Sequence, residues 1–179
     1  PIAVALTRDG QPFDAGVENR YQVIRNETSG VDAVWLRIHI LDTTRRDSAL
    51  YTCIASNKYG RDEFNHQIIV QEAPDIPENV MVNEITSRTA LLSWLEPYAG
   101  NAIIIKYRLE MKQSLNGWQS SPQSSLPGDN TVESIPGTDT SYIIRGLKPV
   151  TAYTLRLSAE NKLGFSANCT DIHFNTGEE

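Results

Sequence analysis

Two cysteines, Cys53 and Cys169, three histidines and two N-x-T triplets are the residues of this 179-residue chain whose types carry chemistry. Cys53 is the most specific of them. It ends the run Asp47-Ser48-Ala49-Leu50-Tyr51-Thr52-Cys53, and a Tyr two residues before a Cys marks a tight corner in a sandwich of two antiparallel sheets. There the phenol hydroxyl anchors the corner and the thiol faces the core. Such a thiol calls for a disulfide partner on the opposite sheet. Cys169 lies far downstream in a differently patterned segment, so the expected partner of Cys53 is not in this chain.

The triplets Asn26-Glu27-Thr28 and Asn168-Cys169-Thr170 have the form that accepts an N-linked glycan in a secreted chain. Such triplets also arise by chance in cytosolic proteins; the setting of Cys53 tips the reading to an extracellular glycoprotein. Cys169, inside one triplet, reads as a buried and inert thiol, with pairing to another molecule as the alternative.

Other chemistry finds little to build on. His39, His66 and His173 fall on separate strand-like segments without His, Cys or paired acids at ligand spacing, which argues for surface positions and against a metal site. The cysteines sit in strand patterns, not at strand-to-helix turns, and no glycine-rich phosphate loop is present, so no catalytic site and no cofactor are expected. Asp9, Asp42 and Asp47 are scattered through turns, where turn chemistry explains them better than calcium does. Arg8 and Arg45-Arg46 read as solvated loop charges, and Gly60-Arg61-Asp62 has the wrong order for an integrin-reading motif. A net charge of −6 makes nucleic acid an unlikely partner class. No apolar run reaches the roughly 18 to 20 residues of a membrane span, and no signal peptide opens the chain, which reads as a soluble piece of something larger.

The elements that must hold these residues are strands. Period-two alternation dominates, with frequent turn signals and no helical period of useful length, so the expected class is all-β. Ile2 to Thr7, Tyr21 to Ile24, Trp35 to Leu41, Ala49 to Ser56 and Phe64 to Val70 read as strands of a first unit. In the third of these, Leu36, Ile38 and Ile40 share one face while Trp35, Arg37 and His39 share the other. Two prolines, Pro74 and Pro77, then break the alternation. The expected organisation is a first domain over 1–72, a Pro-containing linker over 73–77 and a second domain over 78–179. In the second, Val80 and Val82, Leu92 and Trp94, and Ile105, Tyr107, Leu109 and Met111 line up at period two, and the polar segment 116–137 has Trp118 as its large anchor. Tyr142 and Ile144 return to the core. Leu147-x-Pro149-x-Thr151-x-Tyr153 is a second corner, followed by an inward row of Tyr153, Leu155, Leu157 and Ala159.

On these landmarks residues 1–72 resemble an immunoglobulin domain lacking its first strands, and the rest resembles a complete fibronectin type III domain through Trp94, Tyr107, Leu147 and Tyr153. The expected fold is thus two tandem antiparallel β-sandwiches. The runs Gln71 to Pro77, Leu92-Ser93-Trp94, Pro97 to Asn101, Thr131 to Gly137 and Leu147 to Tyr153 resemble the immunoglobulin-to-fibronectin junction of Dscam-type adhesion molecules, pointing to an arthropod member such as the shortened chelicerate forms. Two departures stand out. Leu6 occupies the place of the Trp three residues before the Asp of the Asp9-Gly10 turn, and the strands that would carry the partner of Cys53 are absent. The resemblance also implies that Asp47 pairs with an arginine at the base of the sandwich, with Arg20 the candidate.

What the resemblance implies for function is an extracellular segment of a single-pass plasma-membrane adhesion receptor. It would act as a rigid spacer and cis-association module in homophilic recognition. The implied partners are another copy of the receptor, in cis or trans, and neighbouring domains of its own chain, without direct insertion into membrane. The alternatives from sequence are the ligand-binding ectodomain of a receptor kinase or phosphatase, and an intracellular muscle-type array.

Overall fold

A computed structural model describes residues 2–14, 16, 19–27, 34–113 and 130–179. The chain divides into two compact units, Pro1–Val70 and Gln71–Glu179. Both are built from antiparallel strands, with one 3-10 turn among the described residues, at Arg45–Asp47.

In the first unit the strands are β1 (Ala3–Arg8), β2 (Gln11–Pro12), β3 (Tyr21–Glu27), β4 (Val34–Ile40), β5 (Ala49–Asn57) and β6 (Gly60–Ile68). They form a four-stranded sheet in the order β2-β1-β5-β6 and a two-stranded sheet β3-β4. Asp9 and Gly10 take left-handed backbone, φ 50° and 78°, which turns β1 into β2. The alternation of β4 is the one the pleat dictates: Leu36, Ile38 and Ile40 are half-buried while Trp35, Arg37 and His39 are exposed. β3 runs three residues beyond Ile24, pairing Asn26 with Trp35 and Glu27 with Val34, so the first sequon asparagine lies in a ladder and not in the turn the polar sequence suggests. Among the described residues of this unit the buried ones are Tyr21, Ala49, Tyr51 and the charged Asp47.

The second unit has β7 (Glu78–Asn83), β8 (Thr89–Leu95), β9 (Lys106–Gln113), β10 (Asn130–Pro136), β11 (Ser141–Arg145), β12 (Ala152–Asn161), β13 (Gly164–Phe165) and β14 (Ile172–Asn175). One sheet runs β11-β8-β7. The other runs β10-β9-β12-β13, with β14 also on β12. Between them Leu92, Trp94, Tyr107, Leu109, Leu155 and Leu157 are almost wholly buried, Ile135, Ile144 and Leu147 close the cluster, and Val80 and Val82 pack against it. Burying such a side chain contributes roughly 1.5 to 3 kcal/mol, so this row is the main source of cohesion in the unit.

The expectation for Ile105 is corrected. It is 57% exposed, and Ile104 is buried in its place. β9 begins only at Lys106, which pairs with Glu160, while the Ile105 amide also donates to the Glu160 carbonyl. Two residues thus face one, a bulge that breaks period two just where a sequence reading would extend it. The opposing chain crosses here at Gly137, where a Cβ would sit 2.1 Å from the Ile104 carbonyl oxygen.

Candidate functional site

Asp47 is the polar centre of the first unit. Its side chain is fully buried, and Arg20 approaches it fork to fork, with Nη2 2.8 Å from Oδ1 and Nη1 3.1 Å from Oδ2. The Thr44 amide donates to Oδ2 at 2.7 Å, and the Tyr21 hydroxyl donates to Oδ1. Burial alone would raise this carboxyl; the hydrogen bonds from Arg20, Tyr21 and Thr44 overcome that and hold it well below the usual carboxylate range. Burial, and then the bond to Asp47, pushes the Tyr21 phenol up. Phe13 sets its ring edge-on to both Tyr21 and Tyr51, at 5.1 and 5.6 Å. The Tyr51 hydroxyl donates to the Asp47 carbonyl at 3.3 Å, so both corner residues meet at this node. Every oxygen of the carboxylate is engaged, which suits a structural ion pair and leaves no free group for acid–base work.

Cys53 pairs with Leu6 of β1 and Phe64 of β6 across the sheet. It is half-buried and unbridged, on the wall of an apolar groove lined also by Leu36, Ile38, Phe64 and Ile68. Phe64 is 69% exposed on that groove, large apolar area left to water.

In the second unit the Tyr153 hydroxyl accepts the Lys148 amide at 2.8 Å, and Tyr153 stacks on Phe174 with ring centroids 5.5 Å apart. Thr176 closes the same corner, its hydroxyl donating to the Lys148 carbonyl at 2.6 Å and accepting the Thr151 amide. Trp94 meets Tyr107 edge-on at 5.0 Å, and burial raises the Tyr107 phenol. Leu147 is 2% exposed. At the other end, buried Asn161 donates from Nδ2 to the carbonyls of Glu72 and Ala99, at 2.7 and 2.9 Å. Gly100, with φ 71°, lies so close that a Cβ would stand 2.1 Å from the Glu72 oxygen. The stretch 71–75 is strapped to its own unit by these contacts and by Glu72 N–H to Gly100 O and Asp75 N–H to Tyr98 O. No local signal reveals this strap, because the partners of Asn161 are 62 and 89 positions away.

Cys169 is buried and unbridged. Its Sγ accepts the Leu157 amide at 3.1 Å, and burial pushes the thiol up. Asn168 and Thr170 on either side are exposed. The side chain of Asn26 and all of Thr28 lie outside the described residues, as does Trp118. His39, His66 and His173 are exposed; His66 stacks on Phe64 and His173 Nδ1 is 2.9 Å from the Thr154 hydroxyl. Among the described residues no group of His, Cys, Asp and Glu is disposed to hold a metal ion, and no helix is long and apolar enough to cross a membrane. Asp9 instead accepts the Leu50 amide at 2.9 Å, a turn role. What the arrangement presents to a partner is sheet surface and edges. β6, paired in the described ladders with β5 alone, has every residue but Ile68 exposed.

The fibronectin type III domain profile matches residues 75–173. The chain is 33% identical over all of its 179 residues to the cell adhesion molecule Dscam1 of Drosophila melanogaster, and 32% identical over 99% of its length to the cell adhesion molecule DSCAM of Gallus gallus. It spans 8% of the length of each. Among solved structures, domains A168–A170 of titin align over 99% of this chain and 55% of their own, with a TM-score of 0.51 and 22% identity, a likeness of fold.

Proposed function

Because the chain belongs to the fibronectin type III family over residues 75–173, we propose that it is an extracellular segment of a single-pass cell-surface adhesion receptor. In that role it is a rigid β-sandwich spacer that also associates in cis during homophilic recognition. The observation that carries this reading is the extent of the likeness to the two adhesion molecules. It runs through both compact units, well beyond the 99 residues of the fibronectin profile. A shared fold alone would not require the same two modules in the same order.

The physical chemistry of the chain supports a mechanical task. Buried polar groups hold its corners and straps, with Asp47 on Arg20, Tyr153 on Lys148 and Asn161 on Glu72, and such contacts stiffen a module without activating a nucleophile. The exposed strand edges give it a means of association, since an unpaired ladder accepts a strand from a second copy. The partners in this proposal are another copy of the receptor and the neighbouring domains of its own chain. The likeness to titin concerns fold alone and lends the muscle-type reading no support.

The test replaces residues 71–179 of the receptor with an unrelated sandwich of equal length and measures cell aggregation and clustering on a single cell. Loss of same-cell clustering with aggregation retained is the expected result. Unchanged clustering removes the associative role, and unchanged aggregation after outright deletion of the unit removes the spacer role.

A further inference from the structure

We propose that Asn168 carries an N-linked glycan, which stands on the β13–β14 side of the five-stranded sheet. The sequence offers only the triplet; the structure adds the geometry that lets a folded chain keep the sugar. Residues 166–171 interrupt the last strand between β13 and β14. They are nonetheless pinned to β12: the Ser166 amide donates to Ala159 O at 2.8 Å and the Cys169 amide to Leu157 O at 2.9 Å. In return the Ala159 amide donates to Ser166 Oγ and the Leu157 amide to Cys169 Sγ. Three steps of chain from 166 to 169 therefore face two steps of β12, which bulges the segment outward.

Within the bulge Ala167 and Asn168 are both exposed before the chain turns inward at Cys169. Cys169 packs into the core cluster, so its neighbours Asn168 and Thr170 are turned out and both are exposed. Those are the two residues that the acceptor triplet needs. The middle residue supplies the anchor, and a sugar on Asn168 Nδ2 has no core contact to disturb. A bulky solvated group at this position also covers an edge where a second copy could add a strand, leaving such pairing to other edges.

The donor is a polyisoprenyl-pyrophosphate oligosaccharide. The Asn168 amide nitrogen bonds to the anomeric carbon as that carbon's bond to the pyrophosphate oxygen breaks; Nδ2 gives up one proton and the lipid pyrophosphate leaves. No electron is transferred.

This inference rests on the extracellular reading above, and its test separates the two by supplying the secretory route. The full chain, with Asn26→Gln to silence the other triplet, is expressed behind a cleavable signal in insect or mammalian cells, and the secreted and cell-retained pools are digested with peptide N-glycosidase in heavy-oxygen water. The expected result is an Asn168 peptide converted to Asp with one heavy oxygen, and a band shift that disappears in Asn168→Gln and Thr170→Ala but persists in Thr170→Ser. Recovery of the Asn168 peptide unmodified from both pools overturns the proposal, whatever the native compartment of the chain.

Discussion

Arg20 and Asp47 face each other as two forks, with guanidinium nitrogens 2.8 and 3.1 Å from the two carboxylate oxygens, and Asp47 is completely removed from solvent. Arg20 keeps 28% of its side chain exposed. The asymmetry decides which half of the pair is costlier to lose. Arg20→Ala leaves a buried charge without its main partner and is expected to destabilise the first unit by about 3 kcal/mol. Asp47→Asn leaves a partly hydrated arginine and should cost less. The sign of the pH effect follows from the direction of the shift: in the unfolded chain the carboxyl titrates near 3.8, and in the folded unit well below that. The stabilisation is therefore complete above that value and is lost as pH falls from it toward the lower folded pKa. Chemical denaturation of the full chain between neutral and acid pH, with Asp47→Asn as the comparison, checks this; an equal acid response in both proteins would remove Asp47 as the cause.

The two tyrosine corners are predicted to differ in strength. Tyr153 accepts the Lys148 amide at 2.8 Å, a short bond to a donor that has no ladder partner, whereas Tyr51 donates to the Asp47 carbonyl at 3.3 Å. Tyr→Phe at each position keeps the ring and removes the oxygen. Tyr153→Phe strands an amide and should cost about 1 to 2 kcal/mol; Tyr51→Phe should cost under about 1 kcal/mol, because the bond it loses is long and a carbonyl with two lone pairs tolerates a missing donor better than an amide tolerates a missing acceptor. Urea midpoints of the two variants would show the order, and a larger loss at Tyr51 would reverse the argument.

Much of this was visible in the chain because period two survives wherever one face of a strand is buried. Leu36, Ile38 and Ile40, or Leu155 and Leu157, sit inward as their spacing requires. The corner at Tyr153 was legible for a similar reason: Lys148 is five residues away and local chemistry suffices. Period two misplaces Ile105 because a bulge adds one residue and reverses every side chain beyond it, and nothing in a run of three isoleucines marks the slip. The roles of Tyr21 and Asn161 are not legible in the sequence because each acts on backbone or side chains distant in sequence, which no periodicity encodes.

The two thiols should separate in reactivity. Cys169 is buried, holds the Leu157 amide and has its pKa pushed up by burial, so its thiolate is scarce at neutral pH. Cys53 is half-buried on an open groove. Alkylation of the native chain with iodoacetamide is expected to label Cys53 first and to leave Cys169 largely unmodified until denaturant is added. Raising the pH should increase Cys169 labelling only modestly while the fold holds, since access limits it as well as ionisation. Mass mapping of both peptides over time reads this directly, and labelling of Cys169 at the rate of Cys53 would contradict its placement.

The strap at the start of the second unit yields the last prediction. Asn161 holds the carbonyls of Glu72 and Ala99 together, and Gly100 lets the two chain segments approach more closely than any side chain permits. Asn161→Ala removes three hydrogen bonds, the two to these carbonyls and the one its Oδ1 accepts from the Leu163 amide, and leaves two carbonyls to find new donors, a loss of about 1 to 3 kcal/mol. Gly100→Ala is more severe for a different reason. Its φ of 71° is a left-handed conformation that costs a residue with a Cβ about 1 to 2 kcal/mol, and the added atom would overlap the Glu72 oxygen at 2.1 Å, so the segment must move away. Both variants should therefore free the amides that the strap protects, Glu72 N–H on Gly100 O and Asp75 N–H on Tyr98 O. Hydrogen exchange would show faster exchange at those two positions, with Gly100→Ala the faster, while the amides pairing β9 with β12 stay protected. If instead the whole β9–β12 ladder loses protection in step with the strap, then Asn161 supports the sandwich as a unit and the strap has no separate stability of its own.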